Sequence, residues 1–108
     1  MNTINEINVL EVKDRLDNDE SLVIIDVREV DELKICEINN TLHIPMMEIP
    51  NQLDQLNKDD ELIILCRSGQ RSARVCHFLS IQGFKNTKNL QGGILEWIRL
   101  VDPSMQTY

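Results

Sequence analysis

Leu62-Ile63-Ile64-Leu65-Cys66-Arg67-Ser68-Gly69-Gln70-Arg71-Ser72 reads as the end of one element and the start of another. The apolar run 62–65 has the pattern of a strand buried on both faces, and Ala73 to Gln82 has the spacing of an amphipathic helix. A thiol therefore sits where a strand stops and a helix begins. Amides left unpaired at a helix start, the positive end of its dipole and two arginines all favour a thiolate there. An unperturbed thiol of pKa near 8.5 is only about 3% ionised at pH 7. Lowering that pKa by about two units makes it mostly thiolate, for roughly 2.7 kcal/mol of differential stabilisation. This is the environment of a nucleophile.

Working outward, a wheel over helix 72–82 puts Val75, Cys76, Phe78 and Leu79 within an arc of about 160°, with Arg74 and His77 outside it. Cys76 is thus expected in the core and His77 in water. Gln82-Gly83 is a helix stop, Asn86 to Leu90 a last strand, and Gly92-Gly93 a turn into a closing helix carrying Ile94, Leu95, Trp97 and Ile98. Trp97 reads as packing for that helix. The tail, 101–108, with Pro103, is expected to be loosely ordered.

Toward the start, Leu22-Val23-Ile24-Ile25 is a second buried strand, followed by the polar switch Asp26-Val27-Arg28-Glu29. Ile4, Ile7 and Val9 suggest a short edge strand leading into a helix from about Leu10 to Asn18. A short charged helix is expected from Glu29 to about Glu37, a brief strand over Thr41-Leu42-His43-Ile44, and a helix after Pro50 with Leu53 and Leu56 on its inner side. Alternating short strands and helices define an α/β domain with a mostly parallel sheet and helices on both faces. Strands 22–25 and 62–65 both end in polar residues. In such sheets the ligand crevice lies beyond the carboxyl ends of the strands, so Asp26, Arg28 and the Cys66 loop are expected to share one mouth.

A chain of 108 residues is one domain's worth. With 11 Lys+Arg against 18 Asp+Glu it carries a formal charge of -7, which disfavours nucleic acid and anionic membranes as partners. Any anion chemistry needs a local cationic pocket. Apolar runs such as 22–25 are far too short to span a membrane, and Met1-Asn2-Thr3-Ile4-Asn5-Glu6 lacks the regions of a signal peptide. Cys36, Cys66 and Cys76 cannot all pair and match no usual zinc spacing. A reducing, cytoplasmic compartment fits, with Cys36 and Cys76 as small buried hydrophobes. Nothing calls for a metal or other cofactor.

Taken together, Leu22-Val23-Ile24-Ile25-Asp26-Val27-Arg28-Glu29, Ile44-Pro45, Cys66-Arg67-Ser68-Gly69-Gln70-Arg71-Ser72-Ala73 and Leu90-Gln91-Gly92-Gly93 followed by Trp97 resemble single-domain rhodanese-like sulfurtransferases over most of the chain. The resemblance implies a rhodanese-like fold over 1–108, with Cys66 accepting a sulfane sulfur as a persulfide and passing it to a thiol, cyanide or protein-thiol acceptor. It also implies that amides from Arg67 to Ser72 cradle the charged sulfur, and that Arg67 and Arg71 help hold a small anionic donor such as thiosulfate. Ser68, Gly69, Gln70 and Ser72 complete the expected donor-binding set. The chain departs from the family in one place: Glu37-Ile38-Asn39-Asn40 stands where members usually carry His-Ile and a glycine-containing turn. A carboxylate there would repel an anionic donor if it faced the mouth.

Several residues have a second reading. Arg71 either contacts the donor or pairs with Asp26 or Glu29. Asp26 and Arg28 are read as charges fixing the strand end and loop, with an indirect part in catalysis. Ser72 is equally good as an anion donor or as a helix N-cap. Neither His43 nor His77 is placed beside Cys66, so no Cys/His pair is expected. Two alternative functions compete with sulfur transfer: a persulfide carrier or binding module serving one protein, and cysteine-dependent phosphatase or arsenate chemistry. Phosphatase loops generally have five residues between cysteine and arginine, whereas four separate Cys66 from Arg71. The tighter amide ring suits one terminal sulfur better than a tetrahedral oxyanion.

Overall fold

The computed structural model describes residues 4–108; Met1 to Thr3, part of the start read as lacking a signal peptide, lie outside the described residues. The elements run β1 (Glu6–Ile7), α1 (Val9–Asp17), β2 (Val23–Asp26), α2 (Val30–Leu33), β3 (Leu42–His43), two 3-10 segments (Met46–Asn51 and Leu53–Gln55), β4 (Leu62–Leu65), α3 (Gln70–Ile81), β5 (Thr87–Leu90) and α4 (Gly93–Leu100). All strand pairings are parallel, in the order β1-β5-β4-β2-β3, so the expected mostly parallel sheet is wholly so among the described residues.

Alternation along β2 and β4 builds two cores, one on each side of the sheet. Ile24, Ile63 and Leu65 pack with Val9 and Val12 of α1 and Ile94, Trp97 and Ile98 of α4. Ile25, Leu62 and Ile64 pack with Val75, Cys76 and Leu79 of α3 and with Ile49. Both faces of the central strands are covered, which is why they read as continuous apolar runs. Cys76 and Trp97 are buried, as expected, and His77 is exposed.

Several boundaries differ from expectation, each for a local reason. Helix α1 starts at Val9 because Asn8 caps it, its Oδ1 accepting from the Glu11 amide at 2.8 Å; Val9 and Val12 point inward and Leu10 points out. Strand β2 includes Asp26, paired in register with Leu65 and His43, because its carboxylate is satisfied from within by Arg28. The charged helix after Glu29 is a single turn, Val30–Leu33, closed by a capping box between Glu29 and Glu32. No α-helix follows Pro50. That proline lies inside a 3-10 segment whose bonds span three residues, such as Glu48 N–H to Pro45 O at 2.8 Å. Leu53 and Leu56 nevertheless pack against the α3-side core.

The 101–108 segment is tied down rather than loose. Met105 packs against the α1/α4 core, and the Tyr108 hydroxyl bonds Arg28 and Glu32.

Candidate active site

Strands β2 and β4 are neighbours in register, Asp26 opposite Leu65, so their carboxyl ends finish at the same level. The Val27 amide donates to the Leu65 carbonyl at 2.9 Å and continues that pairing for one residue past the strands. Val27 and Cys66 thus leave the sheet side by side, and Arg28, one residue further on, is buried against Asp26 and the Cys36 carbonyl. The loop then reverses through Gly69, whose φ of 103° is left-handed backbone that a side chain resists. Because that turn is completed at Gly69, α3 begins at Gln70, and Ser72 falls inside its first turn instead of capping it.

This geometry wraps polar hydrogens around the sulfur. The Gly69 amide donates to Cys66 Sγ at 3.1 Å and the Ser72 amide at 3.4 Å, with Ser72 Oγ 3.2 Å away. Burial pushes the Cys66 thiol up, but the Ser72 hydroxyl and the amides of Ser72, Gly69 and Ser68 outweigh it, and the net shift is downward. By contrast, burial pushes the Cys76 thiol up to about 12. Two buried cysteines ten residues apart are therefore in opposite states of readiness.

Asn89, absent from the expected site, completes the first layer. Its Nδ2 donates to Gly69 O at 3.0 Å and to Glu6 Oε2 at 3.1 Å, which aims its Oδ1 at the Ser72 hydroxyl, and that hydroxyl donates to it. With the Ser72 proton on Asn89, a neutral Cys66 donates its S–H to Ser72 Oγ; once Cys66 ionises, the same hydroxyl can turn to the sulfur. A polar residue on the buried side of the last strand was the sequence signal for Asn89, and Thr87 shared it.

The charged residues take other places than expected. Arg71 pairs with Glu32, not Asp26 or Glu29, through two bonds of 2.7 Å. Arg28 is fully buried and holds Asp26 from Nε and Nη2, while its Nη2 also donates to Cys36 O at 2.8 Å. Burial disfavours its charge, yet the bonds to Asp26 and Tyr108 raise its pKa overall. Arg67, Ser68 and Gln70 are exposed at the rim. His43 is a framework residue, its Nε2 2.6 Å from Arg28 O. Glu37 lines a groove with Leu22, Trp97 and Met105 to which no residue of 66–72 contributes, so it does not face the mouth.

Behind the loop, α4 begins against it: the Ile94 amide donates to Cys66 O at 2.9 Å and the Leu95 amide to Arg67 O at 3.1 Å. A Cβ on Gly93 would lie 2.4 Å from Arg67 O and 2.6 Å from Cys66 O, both backbone atoms. Gly93→Ala is expected to destabilise the fold by about 2–4 kcal/mol through that clash and its positive φ. A thermal melt matching the wild type would contradict this.

The Glu32 carboxyl is lowered to about 2, chiefly by Arg71, and the Glu61 carboxyl to about 2, chiefly by Arg15. A lowered folded pKa means stability that is fully present above about pH 4.5 and is lost as pH falls toward 2. Glu32→Gln should therefore lower Tm at pH 7 more than at pH 3; an equal loss at both would contradict the pairing.

Among the described residues no group of three or more His, Cys, Asp or Glu could hold a metal, and no helix is long and apolar enough to cross a membrane.

A parallel α/β sheet with a cysteine loop between its central strand and an α-helix defines the class. The chain belongs to the rhodanese-like family, whose domain matches residues 8–100. It is 44% identical over 94 residues to "Putative sulfurtransferase YtwF" of Bacillus subtilis, covering 87% of this chain and 90% of that one. A sulfurtransferase of Allochromatium vinosum is 36% identical over 96 residues, covering 89% and 90%. The crystal structure of a rhodanese-like domain protein from Staphylococcus aureus superposes with a TM-score of 0.84 at 31% identity, over 97% of this chain and 99% of that one. These relatives support a sulfurtransferase-type role.

Proposed function

We propose that the protein moves a sulfane sulfur from thiosulfate or a persulfide or polysulfide donor, through a persulfide on Cys66, to a thiol, a protein thiol or cyanide. The observation that carries this reading is the setting of Cys66 Sγ: two amides donate to it within 3.4 Å, and the Ser72 hydroxyl, 3.2 Å away, can turn to donate once the thiol ionises, which together favour the thiolate. Cys66 is the nucleophile. Its thiolate attacks the outer sulfur of thiosulfate, the S–S bond breaks, and sulfite leaves with the electron pair. The product, Cys66–S–S⁻, extends one atom toward the amides of the 67–72 loop, which hold its charge. An acceptor thiolate or cyanide then takes that outer sulfur and restores Cys66–S⁻. No general base is needed once the thiol is ionised, consistent with the positions of both histidines.

Arg67, Ser68, Gly69, Gln70, Arg71 and Ser72 form the donor-binding rim in this reading, with Asp26 and Arg28 supporting it from beneath. The soluble-side partners are a small sulfur-bearing anion and a thiol or cyanide, in a reducing compartment such as the cytoplasm. A covalent intermediate predicts ping-pong kinetics. With thiosulfate and cyanide, thiocyanate formation should give parallel double-reciprocal lines as the second substrate is varied; intersecting lines would contradict a discrete Cys66 persulfide.

A further inference from the structure

Both loop arginines are already engaged. Glu32 takes Arg71 through two bonds, and the Arg67 guanidinium lies over the Tyr108 ring, 4.8 Å from its centroid. The ring is itself pinned: the Tyr108 hydroxyl accepts from Arg28 Nη1 at 2.8 Å and donates to Glu32 Oε1 at 2.9 Å. Arg28 is buried and Glu32 half-buried, so Tyr108 is moored to the framework of the mouth while Arg67 rests on it.

A thiosulfate ion brings two negative charges to a protein with a formal charge of -7, so it depends on local cations. Glu32 offsets the charge of Arg71, and Arg67 reaches a donor only by leaving the ring. Persulfide sulfur on a thiol makes a smaller demand. The Cys66 thiolate attacks the outer sulfur of R–S–SH, the donor S–S bond breaks, R–S⁻ leaves with the electron pair, and the proton stays on the transferred sulfur as Cys66–S–SH. We propose that Tyr108 is a specificity-determining residue: by holding Arg67 against its ring it disfavours free sulfur oxyanions and turns the site toward persulfide sulfur carried on a thiol. This rests on the reading of Cys66 as the sulfur acceptor.

The test compares kcat/KM for thiosulfate and for glutathione persulfide in the wild type, Tyr108→Ala, Tyr108→Phe and the double variant Tyr108→Ala/Arg67→Ala. Releasing an exposed cation–π contact corresponds to about a 2- to 5-fold change. Tyr108→Ala should lower the KM for thiosulfate by that factor and shift the donor ratio toward thiosulfate. Adding Arg67→Ala should remove the gain, and Tyr108→Phe, which keeps the ring, should stay nearer the wild-type ratio than Tyr108→Ala. A donor ratio for Tyr108→Ala within twofold of wild type, or a gain that survives Arg67→Ala, overturns the proposal while leaving sulfur transfer by Cys66 intact. If no variant takes sulfur from either donor, the sulfurtransferase reading fails and this proposal falls with it.

Discussion

Replacing Cys66 with serine is expected to reduce sulfur transfer by on the order of a thousandfold or more while leaving the fold in place. An alcohol at this position is not ionised near neutral pH and cannot hold a sulfane sulfur. The fold should persist because the amides of Gly69 and Ser72, which donate to Sγ, can donate to a serine Oγ instead. The cost in stability should be about 1–2 kcal/mol, from the smaller atom in a site that is 1% exposed. Residual thiocyanate formation at more than a few per cent of wild type in a folded Cys66→Ser protein would place the chemistry elsewhere.

Ser72→Ala is expected to have the second largest effect, and it acts through the charge of the sulfur. The Ser72 hydroxyl is the foremost group opposing the upward push of burial on Cys66. A hydrogen bond to a charged group contributes about 1.5–3 kcal/mol, which corresponds to roughly 1–2 pKa units. Removing it should raise the Cys66 pKa by that amount, because the thiolate loses a donor while the neutral thiol loses only an acceptor. Alkylation rates against pH should keep their high-pH plateau and shift to higher pH, so that reactivity at pH 7 falls by about 10- to 100-fold once the profile lies above neutrality. An unshifted profile would mean that the amides alone set the ionisation. Asn89→Ala leaves Ser72 without its acceptor and so isolates the share of the hydroxyl's orientation.

The parts of the site legible in the sequence are those fixed by short-range rules. The runs 22–25 and 62–65 are buried on both faces, so their apolar continuity survives any detail of packing. Cys66 follows one of them directly, and Gly69 marks the reversal that lets amides converge on it. What the sequence did not disclose lies at long separations. Asn89 meets Ser72 across 17 residues, Arg71 meets Glu32 across 39, and Tyr108 meets Arg28 across 80. Each partner was one of several chemically equivalent choices: Asp26, Glu29 and Glu32 all offered a carboxylate to Arg71, and only the one-turn helix α2 decided among them. Tyr108 gave no periodic signal at all, standing in a polar tail whose order comes from Met105 and from its own hydroxyl.

The same long-range contacts explain why the site reads differently in three dimensions. From the sequence, two arginines were the obvious source of positive charge for the thiolate. In the structure the leading causes of its lowered pKa are a hydroxyl and backbone amides, and Arg71 is committed to Glu32. Loop shape, more than net side-chain charge, prepares Cys66.

Intact-protein mass spectrometry, followed by peptide mapping, tests the central claim most directly. After exposure to thiosulfate or a polysulfide and removal of the excess, the wild type should carry one additional sulfur atom, located on Cys66 and released by cyanide or a thiol, while Cys66→Ser carries none. No labile sulfur on the wild type with either donor, or a sulfur found on Cys36 or Cys76, would contradict the account.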